Sequence, residues 1–445
     1  MFNNFTKYLV IIILAMGHSS FIHAQPKDNS PFSQFGIGDF YESNMVSSHA
    51  MGGMAAAYHD FFEANIENPA SLGFLQYTTF QLGTFFKGSS YHRNDQSQSV
   101  WTGNMDHLSL NIPLINPLNE ALERRETKFE WGTSFSLKPF AQVGYHIRIQ
   151  DTIDSIGLVT RDFKGGGGLY QVTWGNGFKY GNLSAGVNLT YLYGKEAYDE
   201  TVQFNDLENA YQDIFSSTVA YKGFQYRFGA QYEQPLDLKA ARAKDDKPSK
   251  LLSAGIFYSG NTTFSTTSDI NKLALNQVSH DLDTVYQATG SLAHGIMPGT
   301  FGFGMIYHQA GKLRAGFDFQ STPWTEYVNE VQPDTTFKNA TRIGFGVAWI
   351  PDANSIISYF KRVEYRAGFY TKTDPRVIEG EQVKEHAFTL GAAFPLIAQR
   401  NIAWFQVGLD YGHRTGGPNL SENFVRGKIG LVFNDNAWFI RSKYH

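Results

Sequence analysis

The sequence predicts an all-β protein: a transmembrane antiparallel β-barrel of about 14 strands, with an N-terminal hatch segment in its lumen. Three observations predict it. Apolar and polar residues alternate with period two in segments of about 9–12 residues. That is the period of a half-buried strand and the length a tilted membrane strand needs. Aromatic residues make up 15% of the chain and there are 43 glycines, yet mean hydropathy is negative. A barrel strand needs apolar residues on one face only, whereas a bundle of membrane helices would be far more apolar. The connections also alternate between short and long, as in barrels with tight periplasmic turns and longer external loops.

The bulk composition removes several function classes. A net charge of −4 over 445 residues argues against nucleic acid as the main partner. The absence of cysteine removes disulfides, thiolate metal sites, thiol catalysis and a lipid-modified N-terminal Cys. The 13 histidines are scattered, with no His-Glu-x-x-His and no close pair at metal spacing, so no metal or cofactor is expected. Gly165–Gly168 lacks the Lys-Ser/Thr of a phosphate loop and opens no helix. No Gly-x-Ser-x-Gly elbow occurs. No catalytic residue is assigned, and a non-enzymatic protein is expected.

In chain order, residues 1–24 read as a signal peptide. Lys7 gives a positive start, Tyr8–Met16 an apolar core, and Ile22-His23-Ala24 a cleavage site before Gln25. Nine apolar residues are too few for a membrane helix, which needs ~20. The exported protein is therefore expected in the bacterial outer membrane, surrounded by its lipid.

Residues 25–76 read as the hatch and 77–445 as the barrel. A barrel of more than eight strands leaves a lumen. A segment filling it must approach strand backbones closely, which favours the small residues of Gly52-Gly53-Met54-Ala55-Ala56-Ala57. Pro69 fixes its own φ and disfavours helix at Asn68, whose amide can satisfy backbone groups at the turn. Gly52, Gly53, Asn68, Pro69 and Ala70 are the hatch and gating candidates.

In the barrel, Leu183, Ala185, Val187 and Leu189 alternate with Ser184, Gly186, Asn188 and Thr190, and Leu192 breaks the pattern. Tyr232, Tyr258, Trp349, Tyr370 and Tyr411 stand near segment ends, as interfacial girdles would. Tyr180-Gly181-Asn182 and Gln309–Lys312 read as short turns. Asp151–Gly166, Glu196–Ser216 and Asn261–Pro298 read as long polar links. Phe129–Ile149 is either a hairpin turning at Lys138-Pro139 or one kinked strand, since Pro removes a ladder donor.

Three features together resemble the FadL-type family of outer-membrane barrels. The Gly-Ala run followed by Asn68-Pro69-Ala70-Ser71-Leu72 is similar to the family's N-terminal hatch motif. Met297-Pro298-Gly299 before Phe301–His308, then Leu313–Gln320 and Trp324–Tyr327, resembles its late hairpin. Trp438–Tyr444 is similar to endings in the branch associated with secretion and assembly machinery. The resemblance implies fourteen strands, a hatch inside them, and passage of small hydrophobic molecules through a kink or side opening. The alternative it leaves is an accessory subunit bound to protein partners of an outer-membrane secretion or barrel-assembly machine.

Overall fold

Alternation with a polar inward face produces a closed sheet in the computed structural model of the chain. It describes residues 30–41, 45–115, 129–207, 209–237, 249–276, 278–332, 337–398 and 401–435. The export signal and Trp438–Tyr444 lie outside the described residues, as do residues 238–248.

Fourteen antiparallel strands close on themselves. They are β1 (Thr78–Arg93), β2 (Gln96–Pro113), β3 (Phe129–Ile153), β4 (Gly157–Tyr180), β5 (Leu183–Phe204) and β6 (Tyr211–Pro235). β7 runs in two pieces, β7a (Lys250–Tyr258) and β7b (Thr262–Asn276), and so does β8, as β8a (Leu282–Met297) and β8b (Phe301–Gln309). Then follow β9 (Leu313–Thr322), β10 (Ala340–Trp349), β11 (Glu364–Ile378), β12 (Glu381–Ala398), β13 (Asn401–Gly416) and β14 (Leu420–Asp435). β14 pairs with β1 from Leu420↔Arg93 to Asp435↔Thr78, which leaves the barrel without a seam.

The alternation sorts side chains as the pattern demands. In β5, Ser184, Asn188 and Thr190 are buried toward the lumen, while Leu183 and Leu189 are exposed outward. Phe135, Trp174, Phe228, Phe345 and Phe388 extend this outward apolar band around the wall. Tyr232, Tyr258, Trp349 and Tyr411 are outward too. Tyr370 is not a girdle residue. It is fully buried and donates to Glu385 Oε1 at 2.8 Å, because it shares inward parity with Arg366 and Gly368.

Two expectations resolve differently from the bare pattern. Phe129–Ile153 is one strand, with a register shift between Pro139 and Ala141 that accommodates the missing donor. The long polar links are mostly strand: β3 and β4 turn only at 154–156, β5 and β6 at 205–210, and β7b and β8a at 277–281. Around Phe264 the strand carries Thr and Ser on both faces (Thr262–Ser268), and elsewhere in these links charged residues interrupt the apolar positions, so no sustained apolar period shows.

The hatch circles the inside of the wall. Val46 and Ala50, on and just after a single helical turn (α1, Val46–His49), lie against Gly430 of β14 and Gly391 of β12. Met51 and Gly52 lie against Gly346 and Gly368, Ala56 against Gly255, Asn68 against Gly229, Pro69 against Gly177 and Gly186, and Leu72 against Gly132. A methyl group at any of these last seven wall glycines would collide with hatch atoms, backbone at six of them. Small residues thus occur on both sides of the contact, as a close backbone approach requires.

Candidate functional site

The hatch is fastened by its own backbone and by buried charge. Gly52 and Gly53 take φ of +68° and +73°, a region that only glycine enters at low cost. The Gly52 N–H donates to Thr389 Oγ1 at 3.1 Å, and the Gly53 carbonyl accepts from Arg342 at 2.9 Å. Asn68 caps the 3-10 turn Pro69–Phe74: its Oδ1 accepts from the Ala70 N–H at 3.1 Å. Its Nδ2 donates to the Ala56 carbonyl at 2.5 Å and to the Ile256 carbonyl of β7a at 3.2 Å. The expected residues therefore sit at hatch-to-wall contacts, Gly52 and Gly53 on one side of the ring and Asn68–Ala70 on the other.

Ion pairs, which the local sequence does not announce, complete the fastening. Asp39 meets Arg376 at 2.5 Å and Arg414 at 2.9 Å, and Asp60 meets Arg314 at 2.6 Å, while a hydrogen bond of 2.5 Å joins His49 Nε2 to Asp410 Oδ2. Asp318 of β9 accepts from the backbone N–H groups of Ala55 and Ala56 at 3.0 and 2.7 Å. Glu67 is held by Lys138 of β3 and by Arg227 of β6, the latter at 2.5 Å. Burial acts to raise the Glu67 carboxyl, but the two cations hold it down at about 2. Burial acts likewise on Asp60, and Arg314 holds it below the usual carboxylate range.

Between hatch and wall lies a cavity of about 250 Å³. Its lining carries the charged side chains Glu67, Lys138, Arg227, Arg342, Lys372 and Asp374. Phe40 and Trp324 also line it, with ring centroids 4.7 Å apart. Trp324 continues into a buried cluster with Tyr327, Phe337 and Phe264 that roofs the lumen. Leu192, the residue that broke the alternation of β5, points into this roof.

The wall is interrupted beside the cavity. β6 pairs with β7a as far as Phe228↔Tyr258 and with β7b from Gly223↔Phe264. Phe224–Arg227 has no ladder partner on that side among the described residues. The interruption arises because β7 breaks at Ser259–Asn261 and β8 at Pro298–Thr300, where Pro298 can donate no hydrogen bond. Tyr226, an outward-facing residue, lines the cavity together with Ser259 and Gly260. The cavity therefore extends into the gap. Among the described residues, no group of three or more His, Asp or Glu side chains is placed to hold a metal.

Solved structures share this architecture. The CymD monoaromatic hydrocarbon channel is 13% identical, with a TM-score of 0.51, covering 90% of this chain and 99% of that one. The toluene transporter TodX of Pseudomonas putida is 13% identical, with a TM-score of 0.52 and coverage of 89% and 98%. The toluene transporter TbuX of Ralstonia pickettii is 12% identical, with a TM-score of 0.52 and coverage of 89% and 99%. At these identities the likeness is one of fold. No curated protein matches the chain. The family model described as BamG matches residues 5–445, and the chain belongs to the BamG family.

Proposed function

We propose that the protein is a non-enzymatic barrel of the bacterial outer membrane, exported by residues 1–24, that binds small hydrophobic molecules and lets them pass. The observation that carries this reading is the cavity partly lined by Phe40, Phe140, Tyr226 and Trp324, continuous with an interruption of the β6–β7 ladder. A ligand pocket orients its ligand with fixed polar groups, and here the aromatic and apolar surface is supplied by Phe40, Phe140, Tyr226, Met297 and Trp324. Ligands enter or leave sideways toward the lipid when Tyr226, whose hydroxyl packs against Gly260, swings aside. The hydrocarbon and toluene channels of the same fold supply the ligand class for the test.

In this reading the hatch does not leave the lumen. Gly52 and Gly53 anchor one side of the ring. Asn68, Pro69 and Ala70 hold the other side next to Ile66 and Glu67, which line the cavity. Local release of Glu67 from Lys138 and Arg227 opens the path. The test is toluene entry into vesicles carrying the protein, compared with a Gly260→Trp variant that fills the gap. Entry falling by about tenfold in the variant supports lateral passage; equal entry contradicts it.

A further inference from the structure

The connection between β10 and β11, Ile350–Val363, displays apolar side chains that the fold leaves uncovered. Ile356 is 97% exposed, Ile357 100% and Phe360 66%. Grouped exposed apolar side chains mark contact surfaces, whereas single ones do not. The backbone that carries them is held. The Asp352 N–H donates to the Lys361 carbonyl at 2.9 Å and closes the connection into a loop. The Ser355 N–H donates to the Asp352 carbonyl at 3.2 Å, the Ser358 N–H to Ser355 Oγ at 3.3 Å, and the Arg362 N–H to the Tyr359 carbonyl at 3.0 Å. Ile356 and Ile357 therefore stand on a folded tip.

Two hydrogen bonds place that tip. At the start of the connection the Ile350 N–H donates to the Lys312 carbonyl at 2.9 Å. This sets it at the same end of the barrel as the short Gln309–Lys312 turn, the periplasmic end. Near its close the Tyr365 hydroxyl donates to the Phe360 carbonyl at 3.1 Å. Tyr365 faces outward beside Trp349, also outward, with ring centroids 6.3 Å apart. Outward aromatic residues at strand ends mark the level of the membrane–water interface. Phe360 is tied to that level, on the lipid-facing side of the wall. Charge fits the same place: Lys361 is exposed, and Lys361 and Arg362 outnumber Asp352, the one acidic residue between Pro351 and Arg362.

We infer that Ile356, Ile357 and Phe360 insert into the periplasmic leaflet of the outer membrane, with Lys361 at the phospholipid phosphates, as an anchor outside the transmembrane strands. The apolar face of an interfacial element reaches about 5–10 Å into the boundary between headgroups and acyl chains. Basic residues beside it meet the lipid phosphates. The surface is continuous with the lipid-facing band through Trp349 and Tyr365. A soluble protein would have to displace lipid to cover it, because the Tyr365 bond holds the tip beside the wall. The inference rests on the barrel standing in a membrane, and not on what the barrel lets pass.

The experiment attaches a fluorophore to single thiols in the barrel, reconstituted in vesicles of phosphatidylethanolamine and phosphatidylglycerol. Ile357→Cys reports the tip. Leu390→Cys, 57% exposed in the apolar band of β12, and Asn182→Cys, exposed in a short periplasmic turn, are the controls. The quenchers are bromine on the lipid acyl chains and iodide on both sides of the vesicles. Brominated lipid should quench the Ile357→Cys label to within about twofold of the Leu390→Cys label. Iodide should quench it about tenfold less than the Asn182→Cys label. Adding Lys361→Glu should lower the lipid quenching at Ile357→Cys by about twofold and leave Leu390→Cys unchanged. Iodide quenching equal to that of Asn182→Cys, without a response to brominated lipid, would overturn the anchor. Indifference to Lys361→Glu would overturn the phosphate contact. Loss of lipid quenching at Leu390→Cys as well would overturn the membrane reading itself, and the anchor with it.

Discussion

Glu67 Oε2 lies 2.5 Å from Arg227 Nη1, joining the hatch to β6 at the last residue of the gap, next to Phe228 where the β6–β7 ladder resumes. Lys138 meets the other carboxylate oxygen. One hatch side chain thus ties together both ends of the fold's weak point: the segment that would have to move and the strand beside the opening.

Glu67→Gln should loosen this corner. Removing one member of a buried charge group leaves its partners uncompensated, at a cost of about 3–5 kcal/mol. Here Lys138 and Arg227 would face each other across a neutral amide. Unfolding in detergent should shift to lower denaturant, and toluene entry into vesicles should rise by about tenfold as the path opens. Higher entry with unchanged stability would separate gating from anchoring and contradict the account of Glu67.

The same carboxylate sets a pH dependence. Its value in the folded protein is depressed to about 2, below that of the unfolded chain at ~4.3. The stabilisation is therefore present above the unfolded value and is lost as pH falls from there toward about 2. Stability of the wild-type protein should decline across that window more steeply than that of Glu67→Gln. Parallel curves would show that Glu67 does not contribute to the decline.

The glycine ring makes a steric prediction. Gly186→Val would drive a side chain into the Pro69 backbone, with no flexible group to yield. The hatch should fail to seat over 65–75 while the barrel still forms. Limited proteolysis of the folded barrel should cut this segment, which in the wild type is buried from Ala64 to Leu75. Protection equal to the wild type would contradict the close approach.

Asn68→Ala removes the cap on Ala70 and the bonds to the Ala56 and Ile256 carbonyls. Leaving buried groups unsatisfied costs about 1–3 kcal/mol. Amide exchange at Ala70 and Ser71 should accelerate by about tenfold or more, with the strands unaffected.

Much of this was legible in the sequence, for identifiable reasons. β5 and β10 declare themselves because a lipid-facing side and a polar lumen side enforce period two. Gly52, Gly53 and Asn68–Ala70 declare themselves because close approach and turn capping admit few residue types. Thr262–Asn276 and Leu282–Met297 did not, since Thr, Ser, Gln and Asp are spread over both faces and, among the described residues, only Phe264 and Met297 of these strands join the buried apolar cluster. Tyr370 was placed outward because an aromatic near a strand end says nothing about parity. Counting from Gly368 and Arg366 would have placed it inward. The Glu67 charge group at the cavity was hidden by distance: Glu67 meets residues 71 and 160 positions away. One signal was present, for Arg227 falls on the inward face of β6 with Gln225 and Gly229, where an unpaired charge would be costly.

The absence of native cysteine permits a direct test of lateral passage. A Gly260→Cys protein carries one thiol, beside Tyr226 at the gap. Toluene entry into vesicles is measured before modification, after attachment of a benzyl group through a disulfide, and after reduction. The account predicts a fall of about tenfold on modification and full recovery on reduction. Entry that is indifferent to the benzyl group would contradict the side opening as the route.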